Sequence, residues 1–144
     1  MLTEIKHRVQ ETEVKELLSC SVFPDPEAVD AAAAAYEANR ELSLYGYVEE
    51  GELIALIGLE LHGDNGVTIR HLAVDPLRRG EGYGRGILLE VLEQLHPVRM
   101  TAETDEEGVN FYRNVGFIVE SLGEAYPGVE RFRCVYEAEW TESD

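Results

Sequence analysis

The sequence predicts an α+β fold, a mixed sheet flanked by helices. Three observations predict it. Strand-like and helix-like stretches do not alternate one for one, as a repeated βαβ winding would require. A single helical stripe over 81–95 separates two apolar strands. The C-terminal stretch from Phe132 to Trp140 alternates residue by residue, as a half-exposed antiparallel strand does.

The elements follow in order. Residues 2–9 read as a first strand, and 12–20 and 26–40 carry helical patterns. Asp25 is placed to cap the second helix, Pro26 suits its first turn, and the run Ala31 to Ala35 is strongly helix-forming. Residues 43–49 and 52–62 read as a hairpin turning at Glu50 and Gly51, and GDNG at 63–66 turns into the central strand VTIRHLAV, which Pro76 ends. Tyr83, Ile87, Leu88, Val91, Leu92 and Leu95 form the stripe of the next helix, closed by Pro97. VRMTAET is a short strand, Asp105 caps a helix over 106–115, and Gly116 suits a left-handed end to it. Two strands close the chain. In the last, Phe132, Cys134, Tyr136, Ala138 and Trp140 share one face, with Arg131, Arg133, Glu137 and Glu139 on the other. As an edge strand, 131–140 could pair with a second subunit to make a homodimer.

At 144 residues with no repeat or linker, residues 1–144 read as one domain with a proper core. A hydrophobic share of 44% and a charged share of 28% place it among globular rather than disordered chains. The longest apolar run, LIALIGLEL, is broken by Gly58 and Glu60 and is too short for a membrane span. The start, MLTEIKHRVQ, lacks a signal peptide's apolar stretch, so no membrane and a cytoplasmic location are expected. Cys20 and Cys134 do not make a disulfide framework, and His7, His62, His71 and His96 lack metal-hydrolase spacing, so no metal is expected. A net charge of −17 argues against nucleic acid as partner. Against that background, Arg78, Arg79 and Arg85 gather beside Gly80, Gly82 and Gly84, which suggests an anionic ligand there.

The segment AVDPLRRGEGYGRGILLEVL runs strand, turn, glycine-rich loop, helix. Unpartnered N–H groups at the helix start, the helix dipole and close backbone approach at glycine together make a phosphate cradle. It is not a Walker loop, which needs lysine, nor a Rossmann fingerprint, because the sixth position falls on Arg85 or Ile87.

Arg79-Gly80-Glu81-Gly82-Tyr83-Gly84 resembles R/Q-x-x-G-x-G/A, the pyrophosphate motif of the GNAT superfamily of N-acetyltransferases. Phe111-Tyr112-Arg113-Asn114-Val115-Gly116-Phe117 resembles that family's FYxxxGF segment, and motifs and element order together cover 43–140. The resemblance implies a mostly antiparallel sheet in which a splayed strand pair admits acetyl-CoA as cosubstrate. Leu72, Ala73 and Val74 would meet its pantetheine, Arg79 to Gly84 its pyrophosphate, and Arg79 and Arg85 its phosphate charge. A backbone N–H near Val74 would steady the oxyanion, and Tyr112 would be the general acid toward the leaving thiolate. Where the family often has Asn three residues before a small residue, this chain has Asp105 and Gly108; the resemblance gives Asp105 a cofactor-binding position, although a carboxylate is less welcome than an amide beside an anionic cofactor.

The general base is open between Glu60, His71 and a chain of waters. On VTIRHLAV strict alternation points His71 away from Thr68 and Arg70, which hold the more usual positions, unless a bulge re-aims it. Glu60 sits in an apolar strand, where burial would suit it to base duty. The acceptor is a primary amine of a small molecule or a protein. Asp25, Glu27, Asp30 and Glu37 would favour a cationic one. A non-catalytic acyl-CoA-binding or regulatory module, and an interaction domain with a coincidental loop, are the competing classes.

Overall fold

A computed structural model describes residues 2–21 and 26–138. Its strands are β1 (Leu2–Glu4), β2 (Leu42–Glu49), β3 (Glu52–Leu61), β4 (Gly66–Val74), β5 (Arg99–Thr104), β6 (Ile118–Tyr126) and β7 (Val129–Glu137). Its helices are α1 (Thr12–Leu18), α2 (Pro26–Ala38), α3 (Tyr83–Leu95) and α4 (Glu106–Asn114). In hydrogen-bonding order the strands run β1-β2-β3-β4-β5-β7-β6, so the expected α+β, mostly antiparallel sheet is present. The chain divides into two compact units, one of residues 1–61 with 70–96 and the other of 62–69 with 97–144, and β4 contributes to both. Among the described residues no helix is long and apolar enough to cross a membrane.

In the first unit, β1–β2 and β2–β3 pair antiparallel, and Glu50 and Gly51 both take positive φ, 51° and 80°. That two-residue turn matches the twist of the strands it joins. β3 is buried on both faces from Leu53 to Leu59, which explains its unbroken apolar run. Val14, Leu17 and Leu18 of α1 and Val29, Ala33 and Tyr36 of α2 turn inward at helical spacing. All of these but Val29 join Ile5, Leu44, Leu56 and Ala73 in one core. Fully burying one such aliphatic side chain contributes roughly 1.5–3 kcal/mol.

β1 is shorter than the sequence suggests. It ends at Glu4, whose carboxylate accepts the Lys6 N–H at 2.5 Å, and Lys6–Arg8 form a 3-10 turn. The turn buries Ile5 and Val9 and leaves His7 outside, a pattern that period-two reading mistakes for strand. Lys6 Nζ then donates to the carbonyls of Asn39 (2.8 Å) and Leu42 (2.6 Å), closing the C-terminal end of α2. The Asp25 cap of α2 and the face of Trp140 lie outside the described residues.

In the second unit, β4 pairs parallel with β5 over Gly66–Ile69 and Arg99–Ala102. β5 pairs with β7 and β7 with β6, both antiparallel. β7 is therefore an interior strand and β6 the edge, contrary to the expectation for 131–140. Alternation reports which faces are wet, not whether a strand has one neighbour or two, so the pattern alone could not tell these cases apart. α4 packs on β5, β6 and β7, with Val109 and Tyr112 turned inward. Its N-cap is Asp105 as expected, and Gly116 follows it at φ 103°.

Candidate functional site

The glycine loop and the start of α3 belong to the first unit. Asp75 N–H donates to the Ile54 carbonyl at 2.8 Å, and its carboxylate accepts the Leu77 N–H at 3.0 Å, capping a 3-10 turn over Pro76–Arg78. Gly80 then takes φ 84°, and Gly82, the N-cap of α3, takes φ 88°. A Cβ on either glycine would meet nothing within 4 Å, so the requirement for glycine is conformational rather than a matter of packing.

The N-cap makes no side-chain hydrogen bond, and the first bond of the helix is Gly86 N–H to Gly82 O at 2.9 Å. The N–H groups of Tyr83, Gly84 and Arg85 precede it and have no acceptor within the helix. With the dipole behind them they make an anion-binding end. Arg79 and Arg85 are exposed beside it, and Arg79 Nε reaches the Val74 carbonyl at 3.4 Å. Arg78 instead pairs with Glu52 at 3.1 Å. Glu81 is exposed, and of the β4 positions read as pantetheine contacts Ala73 is buried while Leu72 and Val74 are half-buried.

Two residues the sequence did not single out fasten this loop. The Tyr83 hydroxyl donates to Glu49 at 3.0 Å, and its ring meets Tyr47 edge-on with centroids 5.6 Å apart. The carboxylate holds the Tyr83 proton in place and pushes its titration up.

The base candidates also lie in the first unit. Glu60 forms an ion pair with Arg70, its side chain 23% exposed. His71 Nδ1 lies 2.5 Å from the hydroxyl of Tyr36, a fully buried residue of α2. Gly58 makes room for that hydroxyl: a Cβ there would stand 1.6 Å from it. Gly58 and Glu60 share a face of β3. Arg70 and His71, consecutive in β4, thus engage Glu60 and Tyr36 respectively. Burial first, and the Arg70 charge second, lower the His71 pKa to about 4, so the ring is neutral at neutral pH.

In the second unit, Asp105 Oδ1 accepts the N–H groups of Glu107 and Gly108, each at 3.0 Å, so its carboxylate is engaged as a helix cap. Gly108 is tight: a Cβ would come within 2.1 Å of Thr104 Oγ1. Tyr112 is 7% exposed, its ring edge-on to Phe111 and Phe117 at 5.2 and 5.1 Å. Burial first, and Cys134 second, hold the proton on its phenol well above the usual range. Phe111 is only half-buried, because Val109 and Tyr112 take the inner face of α4. His62, exposed, bonds Thr68 Oγ1 at 2.8 Å, and Thr68 meets Thr101 at 3.1 Å. Of the acidic residues on α2, Asp30 pairs with Lys15 at 3.1 Å and Glu37 accepts from Gln10 at 2.8 Å.

A mixed sheet whose β4 runs through left-handed glycines into a helix start without a side-chain cap defines an α+β protein with a candidate anion-binding end. Residues 40–119, more than half of the chain, match the acetyltransferase (GNAT) domain, and the chain belongs to this family. An uncharacterized N-acetyltransferase in the lysA 3′ region of Bacillus methanolicus is 31% identical over 62 residues, 43% of this chain and 51% of that protein. The match therefore spans about half the length of this curated relative. A putative GNAT acetyltransferase from Desulfovibrio desulfuricans has the same fold, with TM-score 0.80 at 19% identity over 95% of this chain and 98% of that one. So does a GNAT family acetyltransferase from Elizabethkingia anophelis with acetyl-CoA bound, with TM-score 0.71 at 17% identity over 96% and 97%.

Proposed function

We propose that the chain transfers an acetyl group from acetyl-CoA to a primary amine of a small molecule or protein, by direct attack in a ternary complex. The observation that carries this reading is the set of N–H groups at Tyr83, Gly84 and Arg85 with no acceptor within the helix, behind Gly80 and Gly82 at positive φ, in a member of the GNAT family. Residues 1–144 then act as one acetyltransferase domain. Free Cys20 and Cys134 fit a reducing, cytoplasmic setting.

The residues present fit the cofactor. Three N–H donors, open space above the glycines, and exposed Arg79 and Arg85 suit a pyrophosphate. The backbone of Leu72, Ala73 and Val74 would pair with the pantetheine amides. When bound, acetyl-CoA supplies the activated acyl group as a thioester. A backbone N–H near Val74 would stabilise the oxyanion, and Tyr112 would return a proton to the departing sulfur. Burial keeps the Tyr112 phenol protonated, as a donor must be.

Glu60 is the residue we assign to the proton of the attacking amine. It is partly reachable by solvent, and its ion pair with Arg70 keeps the carboxylate oriented. The same ion pair already occupies the carboxylate, and this observation sustains the second reading, an acyl-CoA-binding module without turnover. Release of free thiol from acetyl-CoA that depends on added amine distinguishes the two. Amine-dependent release establishes the enzyme, and binding without it establishes the module.

A further inference from the structure

We infer that Tyr36 is a positioning residue for His71, fixing its imidazole as a neutral hydrogen-bond donor through Nε2 rather than a proton acceptor. For its meaning in catalysis this rests on the acetyl-transfer reading; its chemistry rests on the geometry of the pair.

Tyr36 is fully buried, and a buried hydroxyl must place its hydrogen on an acceptor. The acceptor within reach is His71 Nδ1, 2.5 Å away, with ring centroids at 5.5 Å and planes tilted by 56°. Burial holds the phenol proton far more tightly than usual, so the phenol is the donor. A neutral imidazole whose Nδ1 accepts carries its hydrogen on Nε2.

The groups facing the ring agree with this. From α2 comes the Tyr36 hydroxyl; Arg70, the neighbour on β4, is cationic and its own ion pair is with Glu60 on β3. A second proton on His71 would reverse the Tyr36 bond, take away the acceptor of the buried Tyr36 hydrogen and sit beside a guanidinium. Gly58 shows that the contact is built in, since a Cβ there would lie 1.6 Å from the hydroxyl oxygen and 2.5 Å from Cζ.

Nε2 has no hydrogen-bond partner among the described residues, and His71 as a whole is half-buried. Its N–H suits an oxygen of the acceptor, which makes the acceptor an amine bearing a carbonyl, ether or hydroxyl oxygen close to its nitrogen.

The test is long-range 1H–15N correlation of the imidazoles in the full chain, assigned with His71→Gln, for the wild type and Tyr36→Phe. Alongside it, kcat/KM is measured against pH for butylamine and 2-methoxyethylamine. The expected result is the Nε2–H tautomer throughout about pH 5–9, mixed tautomers in Tyr36→Phe, and about a tenfold preference for the ether amine. That preference should be lost in both variants. An Nδ1–H tautomer in the wild type would overturn the inference, and so would a pH–rate limb that disappears in His71→Gln. No turnover of either amine, with the Nε2–H tautomer observed, would count against acetyl transfer while leaving the assignment of His71 as donor intact.

Discussion

Gly58 and Tyr36 occupy one space: the Tyr36 hydroxyl stands 1.6 Å from where a Cβ of residue 58 would be. Gly58→Ala should therefore cost about 1–3 kcal/mol through overpacking. The cost should fall below about 0.5 kcal/mol when Tyr36 is already alanine. Urea unfolding of the two single variants and the double variant measures this coupling. Additive effects would mean that the two residues do not compete for this volume.

His71 gives stability a definite pH dependence. Its folded pKa of about 4 lies below the ordinary value of 6.5, so between them the unfolded chain binds more protons. The stability tied to the neutral ring is fully present above about pH 6.5 and is lost as pH falls toward about 4, by up to roughly 3 kcal/mol. His71→Gln should flatten this part of the profile. The comparison is wild type against variant in denaturant melts across that window, since the many carboxylates titrate in both.

The loop separates binding from folding. Arg79→Glu places a carboxylate beside the anion-binding end of α3 and should weaken acetyl-CoA binding by at least about tenfold. Its effect on stability should stay within about 0.5 kcal/mol, because Arg79 is exposed. Gly82→Trp should also abolish binding but cost about 1–2 kcal/mol, since φ is 88° there. Titration calorimetry and thermal melts on the same samples read both quantities.

Tyr112→Phe should bind acetyl-CoA as the wild type does and lower turnover by about a hundredfold or more. Its ring contacts with Phe111 and Phe117 survive the substitution, so the melting temperature should barely move. Unchanged turnover would reduce Tyr112 to a packing role.

What the sequence made legible was local. Asp105 as a cap, Gly116 beyond its helix and the Glu50–Gly51 turn are each decided by a few neighbouring residues, and the structure has them as expected. The glycine loop was legible for the same reason. The neighbours of β7 were not, because strand order is set by pairings between distant residues and the alternation of one strand carries no record of them. The aim of His71 depends on a partner from α2 and on space left by Gly58 in β3. A glycine inside an otherwise apolar strand was the available signal, since it marks close approach by another group. It said nothing about which group approaches.

The most direct test is calorimetric titration of the purified protein with acetyl-CoA, set against ATP and NAD. The account predicts saturable binding of acetyl-CoA alone, with Kd on the order of micromolar to tens of micromolar, and its loss in Arg79→Glu. No heat and no melting shift at saturating acetyl-CoA, or equal binding of ATP and NAD, would contradict it.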